Sequence, residues 1–206
     1  RNQVQGVPMI RRRSRRSPRA FGPSLQKLLP NAALDTLDTG AILSGCGKFR
    51  YVLTRFWDYS KPLALFVMLN PSTADATRDD PTIRKCLGFA RVHNAGAIAV
   101  VNLWAYRATS PKDLRTAGYP VGLSNDYWID SLMEQADQVI FAWGEQAMHA
   151  AGHKRIRLVE SLAKKHWHTP LAIKINSSGA PAHPLMLPYS QKLVAYRPLD
   201  IVGSPA

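Results

Sequence analysis

Residues 63–75, LALFVMLNPSTAD, hold the pattern that decides the fold of this chain. The apolar run Leu63–Leu69 follows a proline and stops at Asn70-Pro71, where the proline ring disfavours a helical residue before it. The run has the length of a strand that is buried on both faces, and it is too short for a buried helix. We therefore predict a parallel strand that ends at a polar loop.

More strands of this kind are indicated on both sides of that segment. Phe49–Trp57 precedes it and is rich in aromatic and β-branched residues, which favours a strand. Three apolar runs follow it: Ala97–Leu103, Val139–Trp143 and Leu171–Ile175. Because helical segments separate the run at 63–69 and the three runs that follow it, we predict that these four form the central parallel sheet of an α/β fold, a three-layer sandwich.

The segments between the apolar runs have the apolar spacing of helices. Asp80-Pro81 indicates the N-cap and the first residue of one helix. Two further helices are predicted over Ser124–Ala136 and Glu145–His166. Ser110–Gly122 contains several turn-forming residues and is predicted to be a loop.

Length and composition limit the domain organisation and the compartment. The 206 residues suffice for one domain, which we place at residues 41–200, after a basic tail at 1–40 and before a C-terminal tail at 201–206. Two cysteines exclude a disulfide scaffold and an all-cysteine zinc site, and they favour a reducing compartment. No apolar run approaches the ~20 residues that span a bilayer, and no signal-peptide pattern is visible. We therefore expect a cytoplasmic protein without membrane contact, and the sequence indicates no oligomeric state.

Positive charge dominates the chain and is concentrated at its start. The net charge is +13, and the first 20 residues hold seven arginines and no acidic residue. The run Arg11–Arg19, RRRSRRSPR, repels itself and lacks an apolar period, so we expect a disordered tail. This tail is either simply solvated or an arm that raises affinity for nucleic acid without adding specificity. The charge favours DNA or a nucleotide as the partner.

Polar or small residues stand where the predicted strands end. Ligand sites in parallel sheets lie beyond the carboxyl ends of the strands, because parallel strands bring those ends to one edge. In this chain that rule points to Asn70, to Asn102, to Trp143-Gly144 and to the loop that reaches His183. We expect Asn70, Asn102 and His183 to meet in one cavity.

The motifs at these four places resemble those of the uracil-DNA glycosylase superfamily. They are LNPSTAD (Leu69–Asp75), VVNL (Val100–Leu103), FAWGEQA (Phe141–Ala147) and HPL (His183–Leu185). Their order and spacing match between residues 63 and 188. The resemblance implies a uracil-DNA glycosylase-like fold and a hydrolase that cleaves the bond between a base and its sugar.

A longer part of the chain is similar to a family of bacterial and phage proteins defined by a domain of unknown function. The segments that carry this similarity are CGKFRYVLTRFW, LNPSTAD, DDPTIRKC, VVNLWAYRATSPKDL, AWG and HPL, from Gly45 to Pro188. It implies a family and no activity. The functional expectations therefore follow from the glycosylase resemblance.

That resemblance implies a role for each of three polar residues. Asn70 would orient the attacking water, which is all that a neutral amide can do, since it is not a strong base. Asn102 would read the edge of the base, and His183 would hydrogen-bond the leaving base. Each has a plainer alternative: Asn70 as a turn cap, Asn102 as an amide bonded to backbone, and His183 as an ordinary loop residue. The other residues expected to contact substrate are Pro71, Ser72, Tyr106, Trp143 and Gly144.

Basic and small residues near the strand ends are candidates for binding phosphate. Arginine can do so bidentately, and small residues let backbone amides approach a phosphate. The basic side chains could instead form structural ion pairs or a solvated helix face. The candidates are Arg84, Lys85, Arg107, Ser178 and Gly179, to which Arg50 and Arg55 in the first predicted strand are added.

We expect no cofactor and no metal ion. Glu145, His149 and His153 recur every four residues, so a helix would put them on one face, where they could bind a metal. Arg157 continues the same face. A solvated polar face is therefore the interpretation that we adopt.

Three functions are compatible with this sequence. The first, which we predict, is an enzyme that hydrolyses an N-glycosidic bond in DNA after extruding the nucleotide. The second is a nucleoside- or nucleotide-processing enzyme that acts on a free small molecule. The third is a non-catalytic nucleic-acid-binding protein with the same fold. The third predicts binding without release of a base.

Overall fold

A computed structural model describes residues 38–198, which form a mixed α/β fold with seven strands and four helices. The strands are β1 (Asp38–Leu43), β2 (Arg50–Phe56), β3 (Leu63–Met68), β4 (Ala97–Asn102), β5 (Gln138–Phe141), β6 (Leu171–Ala172) and β7 (Val194–Ala195). The helices are α1 (Pro81–Val92), α2 (Pro111–Thr116), α3 (Asn125–Gln135) and α4 (Ala150–Lys165). Two 3-10 turns lie at Glu145–Ala147 and Pro184–Met186. The predicted arginine-rich arm and the predicted C-terminal tail lie outside the described residues.

All seven strands belong to one sheet in the order β1-β2-β4-β3-β5-β6-β7. Strand β3 pairs in parallel with β4 and with β5, and β5 pairs in parallel with β6. The pairs β1–β2, β2–β4 and β6–β7 are antiparallel. The sheet is therefore mixed and larger than the predicted sheet of four parallel strands. The carboxyl ends of β3, β4 and β5 lie at one edge, because these strands run in the same direction.

The core lies on both faces of the sheet. Along β3, Leu65 and Val67 face one side, while Ala64 and Phe66 face the other, as the alternation of a strand requires. Apolar residues of α3 and α4 pack on the first face, and those of α1 pack on the second. Burial on two faces explains why the central strands are continuous apolar runs.

The strand predicted over Leu171–Ile175 is shortened to β6 (Leu171–Ala172), and two predicted segments differ from the structure in kind. The helix predicted over Glu145–His166 is divided into a 3-10 turn and α4, because the side chain of His149 caps α4 by accepting a hydrogen bond from the N–H of Gly152 at 3.3 Å. The loop predicted over Ser110–Gly122 contains α2, which the side chain of Ser110 caps. Both differences arise from caps within segments whose apolar spacing is weak.

The predicted cap of the first helix is confirmed. The Asp80 carboxylate accepts a hydrogen bond from the N–H of Ile83 at 2.9 Å, and Pro81 is the first helical residue. None of the helices within residues 38–198 is both long and apolar enough to cross a membrane.

Candidate functional site

A cavity of about 370 Å³ lies at the carboxyl edge of β3, β4 and β5. Six of the residues predicted to take part in catalysis or to contact substrate line it, and they come from parts of the chain that are far apart. These are Asn70, Ser72, Asn102, Trp143, Gly144 and His183. The parallel pairing of the strands brings them together. Their roles in substrate binding and catalysis stay predictions.

Asn70 directly follows β3, and only the nitrogen of its side-chain amide is hydrogen-bonded within the described part of the chain. Its Nδ2 donates to the carbonyl oxygens of Pro71 and Ala108, each at 2.9 Å. These two acceptors fix the orientation of the amide. Its Oδ1 has no hydrogen-bond partner in the described part of the chain, so it is free to accept a bond. The nitrogen thus holds the loop, and the oxygen is available to a water or ligand.

Asn102 ends β4 and is 1% exposed. Its Nδ2 has no hydrogen-bond partner among residues 38–198. The bond that the residue does make runs from Nδ2 of Asn125 to the backbone oxygen of Asn102, at 2.9 Å. A buried amide without a partner is unfavourable. Asn102 lines the cavity, and its unpaired Nδ2 is buried in that wall.

His183 reaches the cavity from the loop after β6. Its Nδ1 accepts a hydrogen bond from the N–H of Leu185 at 3.4 Å, so the neutral ring carries its proton on Nε2. Burial lowers the pKa of His183 below 6.5, and the negative charge of Asp80 opposes part of that effect. At neutral pH the side chain therefore offers the cavity an uncharged N–H donor.

The low pKa of His183 makes a prediction about stability. In the unfolded chain the imidazole takes up a proton near pH 6.5, whereas in the folded protein it does so only at lower pH. Below about pH 6.5 the unfolded state therefore binds more protons, and the free energy of unfolding falls with pH. We expect His183→Gln to lose less stability between pH 7.5 and pH 5.5 than the wild type, as measured by urea unfolding. The variant Leu185→Gln keeps the imidazole and should lose as much stability as the wild type over this pH range. An equal loss of stability in all three proteins would contradict the lowered pKa of His183.

Gly144 lies beside His183 in a backbone conformation that favours glycine. Its φ is 76° and its ψ is −178°, a combination open almost solely to glycine. Its N–H donates to the carbonyl oxygen of Pro181 at 2.9 Å, which joins the end of β5 to the loop of His183. A Cβ on Gly144 would lie 3.2 Å from the Cβ of His183. Glycine therefore sets both the turn and the position of the imidazole.

Replacing Gly144 with Ala should lower the free energy of unfolding by about 1–3 kcal/mol, the range for a residue forced into such a conformation. The matched control is Gly45→Ala, because a Cβ at Gly45 meets no atom within 4 Å. That control should change stability by less than about 0.5 kcal/mol. Urea unfolding of the two variants tests the difference, and an equal effect would show that the conformation of Gly144 is unstrained for alanine.

Trp143 precedes this glycine and forms part of the cavity wall. It is fully buried, and its ring packs on Phe141 and Tyr196 with centroids 4.6 and 5.8 Å away. Its indole Nε1 has no hydrogen-bond partner among the described residues. Trp143 and Asn102 thus both leave a buried N–H donor unsatisfied at the cavity.

Arg50 lines the cavity, whereas the sequence marked it only as a candidate for binding phosphate. It begins β2, is 2% exposed, and lines the cavity. Its Nη1 donates to the carbonyl oxygen of Ala74 at 2.8 Å, and its Nε has no partner within the described chain. Burial lowers the pKa of Arg50 from 12.5 to about 10, with Asp80 acting in the opposite direction. The feature of the sequence that could have indicated this site is a basic residue inside a predicted strand.

Several other predicted site residues lie outside the cavity lining. Arg107 donates to the carbonyl oxygens of Ser72, Thr73 and Gly47 at 3.4–3.5 Å, so it joins two loops. Tyr106 forms a bridge with Phe49. The residue Pro71 is buried beside Asn70 and supplies a carbonyl acceptor to it.

The residues predicted to bind phosphate also have partners within the protein. Lys85 donates to the carbonyl oxygen of Leu187 at 2.7 Å, and its ammonium lies 4.5 Å from the centre of the Tyr189 ring. Exposed Arg84 donates to the carbonyl oxygen of Asp79 at 2.7 Å. The hydroxyl of Ser178 donates to the carboxylate of Glu145 at 2.7 and 2.8 Å, and Gly179 forms the turn after it with a φ of 85°.

Glu145, His149 and His153 do not share a helical face. Glu145 belongs to the 3-10 turn, while His149 is the N-cap of α4 and stacks on Trp104 with ring centroids 5.7 Å apart. No group of three or more acidic, histidine or cysteine side chains within residues 38–198 could hold a metal ion. The break in the predicted helix removes the geometry that the spacing suggested.

The fold and the cavity define a mixed α/β protein with polar and cationic groups gathered at the strand ends. Residues 50–185 match the family described as "Protein of unknown function (DUF1643)", and the chain belongs to this family. Every residue that lines the cavity falls within the matched segment. The match names no activity and does not link the chain to the uracil-DNA glycosylase superfamily, to bacteria or to phage. No curated protein and no solved structure matches the chain.

Proposed function

We propose that this protein hydrolyses the N-glycosidic bond of a base in DNA, with a fold and chemistry like those of uracil-DNA glycosylases. The observation that carries the proposal is the meeting of three complementary groups in one cavity. They are the free acceptor Oδ1 of Asn70, the unsatisfied amide of Asn102 and the neutral N–H of His183. A nucleotide offers a partner for each: a water at its sugar, the edge of its base and an oxygen of its base.

In this reaction the bond between C1′ of the sugar and the base nitrogen breaks, and its electron pair leaves with the base. His183 donates a hydrogen bond through Nε2 to the base oxygen on which negative charge develops. Asn70 accepts a hydrogen bond from a water and directs its oxygen to C1′, where the new C–O bond forms. The proton of that water passes to solvent, since a neutral amide does not hold it.

Asn102 suits the reading of a base, because an amide pairs with a base edge through one donor and one acceptor. Its burial excludes water from that contact, which strengthens the hydrogen bonds to a bound base. A base that lacks the matching groups would leave the amide unpaired. Discrimination between bases then follows from the same unsatisfied amide that is unfavourable in the empty site.

Two exposed apolar residues next to His183 favour DNA as the substrate. Leu185 lines the cavity and Met186 is 87% exposed beside it. Extrusion of a nucleotide unstacks its neighbours, and an apolar side chain can occupy the space left in the duplex. An exposed apolar pair at the rim of a polar cavity fits that requirement.

A free nucleotide is the second candidate substrate, and Arg50 is the observation that favours it. A buried cation in the cavity wall suits a ligand that enters whole, with its phosphate, better than a base extruded from a chain. The alternative enzyme would cleave the same glycosidic bond in a mononucleotide. The groups assigned to the reaction would remain Asn70 and His183.

Base release is the experiment that tests this function. The protein is incubated with single- and double-stranded oligonucleotides that carry a panel of modified and damaged bases, and with the matching free mononucleotides. Mass spectrometry measures the released base and the abasic product. Release from the oligonucleotides supports the DNA enzyme, and release from mononucleotides alone supports the second candidate. Binding of oligonucleotide without any release would reject both and indicate a non-catalytic binder.

A further inference from the structure

The guanidinium of Arg50 is buried with most of its hydrogen-bonding capacity unused. Among the described residues its only hydrogen bond is the one from Nη1 to the carbonyl oxygen of Ala74. No carboxylate lies within ion-pair distance of it in residues 38–198. A buried charge is normally paired, since removal from water without a partner is unfavourable. Arg50 lines the cavity, so the missing anion can arrive from there.

Arg55, on the same strand, shows what a structural arginine looks like in this protein. It is 1% exposed, and its Nε and Nη2 contact Asp79 Oδ1 at 2.9 and 2.8 Å. Its guanidinium also donates to the backbone oxygens of Thr54 and Asp75. The two arginines are equally buried and belong to one strand, but only Arg55 has a carboxylate. The unpaired state of Arg50 is therefore a property of its place in the cavity wall.

The groups around Arg50 favour an anion in this part of the cavity. Thr82 and Ile83, in the first turn of α1, line the same cavity, and the amino end of a helix carries partial positive charge. Of the two carboxylates in the lining, Glu145 accepts from the hydroxyl of Ser178, and Asp80 caps α1. The negative charge of Asp80 also acts on Arg50 and raises its pKa, but the two side chains form no ion pair. An arginine fork and a helix terminus together match the several acceptor oxygens of a phosphoryl group.

We propose that Arg50 binds a phosphoryl group of the ligand that occupies this cavity, through the Nη2 edge of its guanidinium. That the ligand is a nucleotide rests on the proposed function, whereas the anion site rests on the burial and unpaired state of Arg50. The phosphoryl group comes either from the terminal monoester of a free nucleotide or from a phosphodiester of DNA. In both cases the contact holds the sugar at a fixed distance from Asn70 and His183.

Binding measurements on the full chain test this site without relying on catalysis. Isothermal titration compares inorganic phosphate, the four common deoxynucleosides, their 5′-monophosphates and the corresponding dinucleoside monophosphates. We expect phosphorylated ligands to bind about 10- to 100-fold more tightly than the nucleosides, as hydrogen bonds to a charged group imply. A preference for the 5′-monophosphates identifies a terminal phosphate, and a preference for the dinucleoside monophosphates identifies a phosphodiester. Equal affinity for nucleosides and phosphorylated ligands would overturn the site.

Variants locate the effect at Arg50. Arg50→Gln should lose the preference for phosphorylated ligands, and Arg50→Lys should retain part of it because the charge remains. The control Arg157→Gln removes an exposed arginine on α4 and should bind as the wild type does. Loss of the preference in the control, or its survival in Arg50→Gln, would contradict the proposal.

A measurement on the unaltered protein keeps the proposal testable if Arg50 variants fail to fold. In protein labelled with ¹⁵N at arginine, the Nε–H signal of Arg50 should shift on addition of inorganic phosphate or a 5′-monophosphate and stay fixed with chloride. No shift would overturn the assignment. A shift of this signal together with no base release supports the phosphoryl site and rejects the proposed function. Base release without a shift supports the proposed function and rejects the phosphoryl site.

Discussion

Replacing His183 with Ala is expected to lower the rate of base release by about 10²- to 10³-fold, the effect of removing one preorganised donor from an oxyanion site. The donor is the Nε2–H of the neutral imidazole, since Nδ1 already accepts from Leu185. Negative charge on the base oxygen grows only as the glycosidic bond breaks. The lost interaction is thus strongest in the transition state, and substrate affinity should change little.

Single-turnover kinetics with saturating enzyme measure the rate of base release, and a direct measurement of Kd gives the substrate affinity. Together they separate an effect on the chemical step from an effect on binding. His183→Gln should recover part of the rate, because its amide can donate a hydrogen bond, though from a different distance. The control His153→Ala replaces a histidine on α4 outside the cavity lining and should keep the wild-type rate. If the rate of His183→Ala falls only in proportion to its affinity, then the imidazole binds substrate without assisting departure of the base.

The central strands and the edge where their ends meet could be predicted from the sequence. Strands β3, β4 and β5 are short apolar runs, because each is buried on both faces and has no polar side to present. Once they are taken as parallel, the polar residues that follow them must lie near one another. This is why Asn70 and Asn102 could be placed at the same edge with no knowledge of their contacts.

The outer strands could not be predicted in the same way. Strand β1 is only partly buried at its edge of the sheet, and β7 consists of two exposed residues, so neither has a strong apolar pattern. Strand β2 was visible as a strand, but its antiparallel pairing with β4 depends on a register between segments that are distant along the chain. That pairing is what carries Arg50 to the cavity, and so the sequence could suggest its chemistry without its location.

The division of Asn70 into two functions was also beyond reach of the sequence. From the sequence, capping a turn and orienting a water were alternative roles for Asn70, because a residue type does not show that the two ends of one amide can have different partners. In the structure the nitrogen is held by the carbonyls of Pro71 and Ala108 while the oxygen stays free. The second carbonyl belongs to the loop after β4, which only the folded chain brings near.

Two buried asparagines in contact with each other differ in what their amides bond. Asn125, at the start of α3, has no exposed surface, and its Nδ2 donates to the backbone oxygens of Asn102 and Leu103 at 2.9 and 3.3 Å. Asn102 is buried to the same degree, but its own Nδ2 lacks a partner in the described chain. Asn125 also leaves one amide atom without a partner in the described chain, its Oδ1, but it does not line the cavity, and its Nδ2 satisfies two backbone oxygens. The unpaired amide in the cavity wall is therefore the one that indicates a functional requirement, whereas the bonds of Asn125 support the fold.

Asn102→Leu is therefore expected to preserve the free energy of unfolding or to raise it by about 1 kcal/mol, because an unsatisfied buried amide is replaced by an apolar group of similar size. The same change should lower base release by about 10²-fold or more and weaken discrimination between bases, since the reading contact is lost. The matched variant Asn125→Leu removes two hydrogen bonds to backbone oxygens together with the unpaired Oδ1, and it should lower the free energy of unfolding by about 1 kcal/mol or more. Urea unfolding and the base-release assay on both variants give the comparison. Equal destabilisation of the two would show that the amide of Asn102 supports the fold, and the reading role assigned to it would then be wrong.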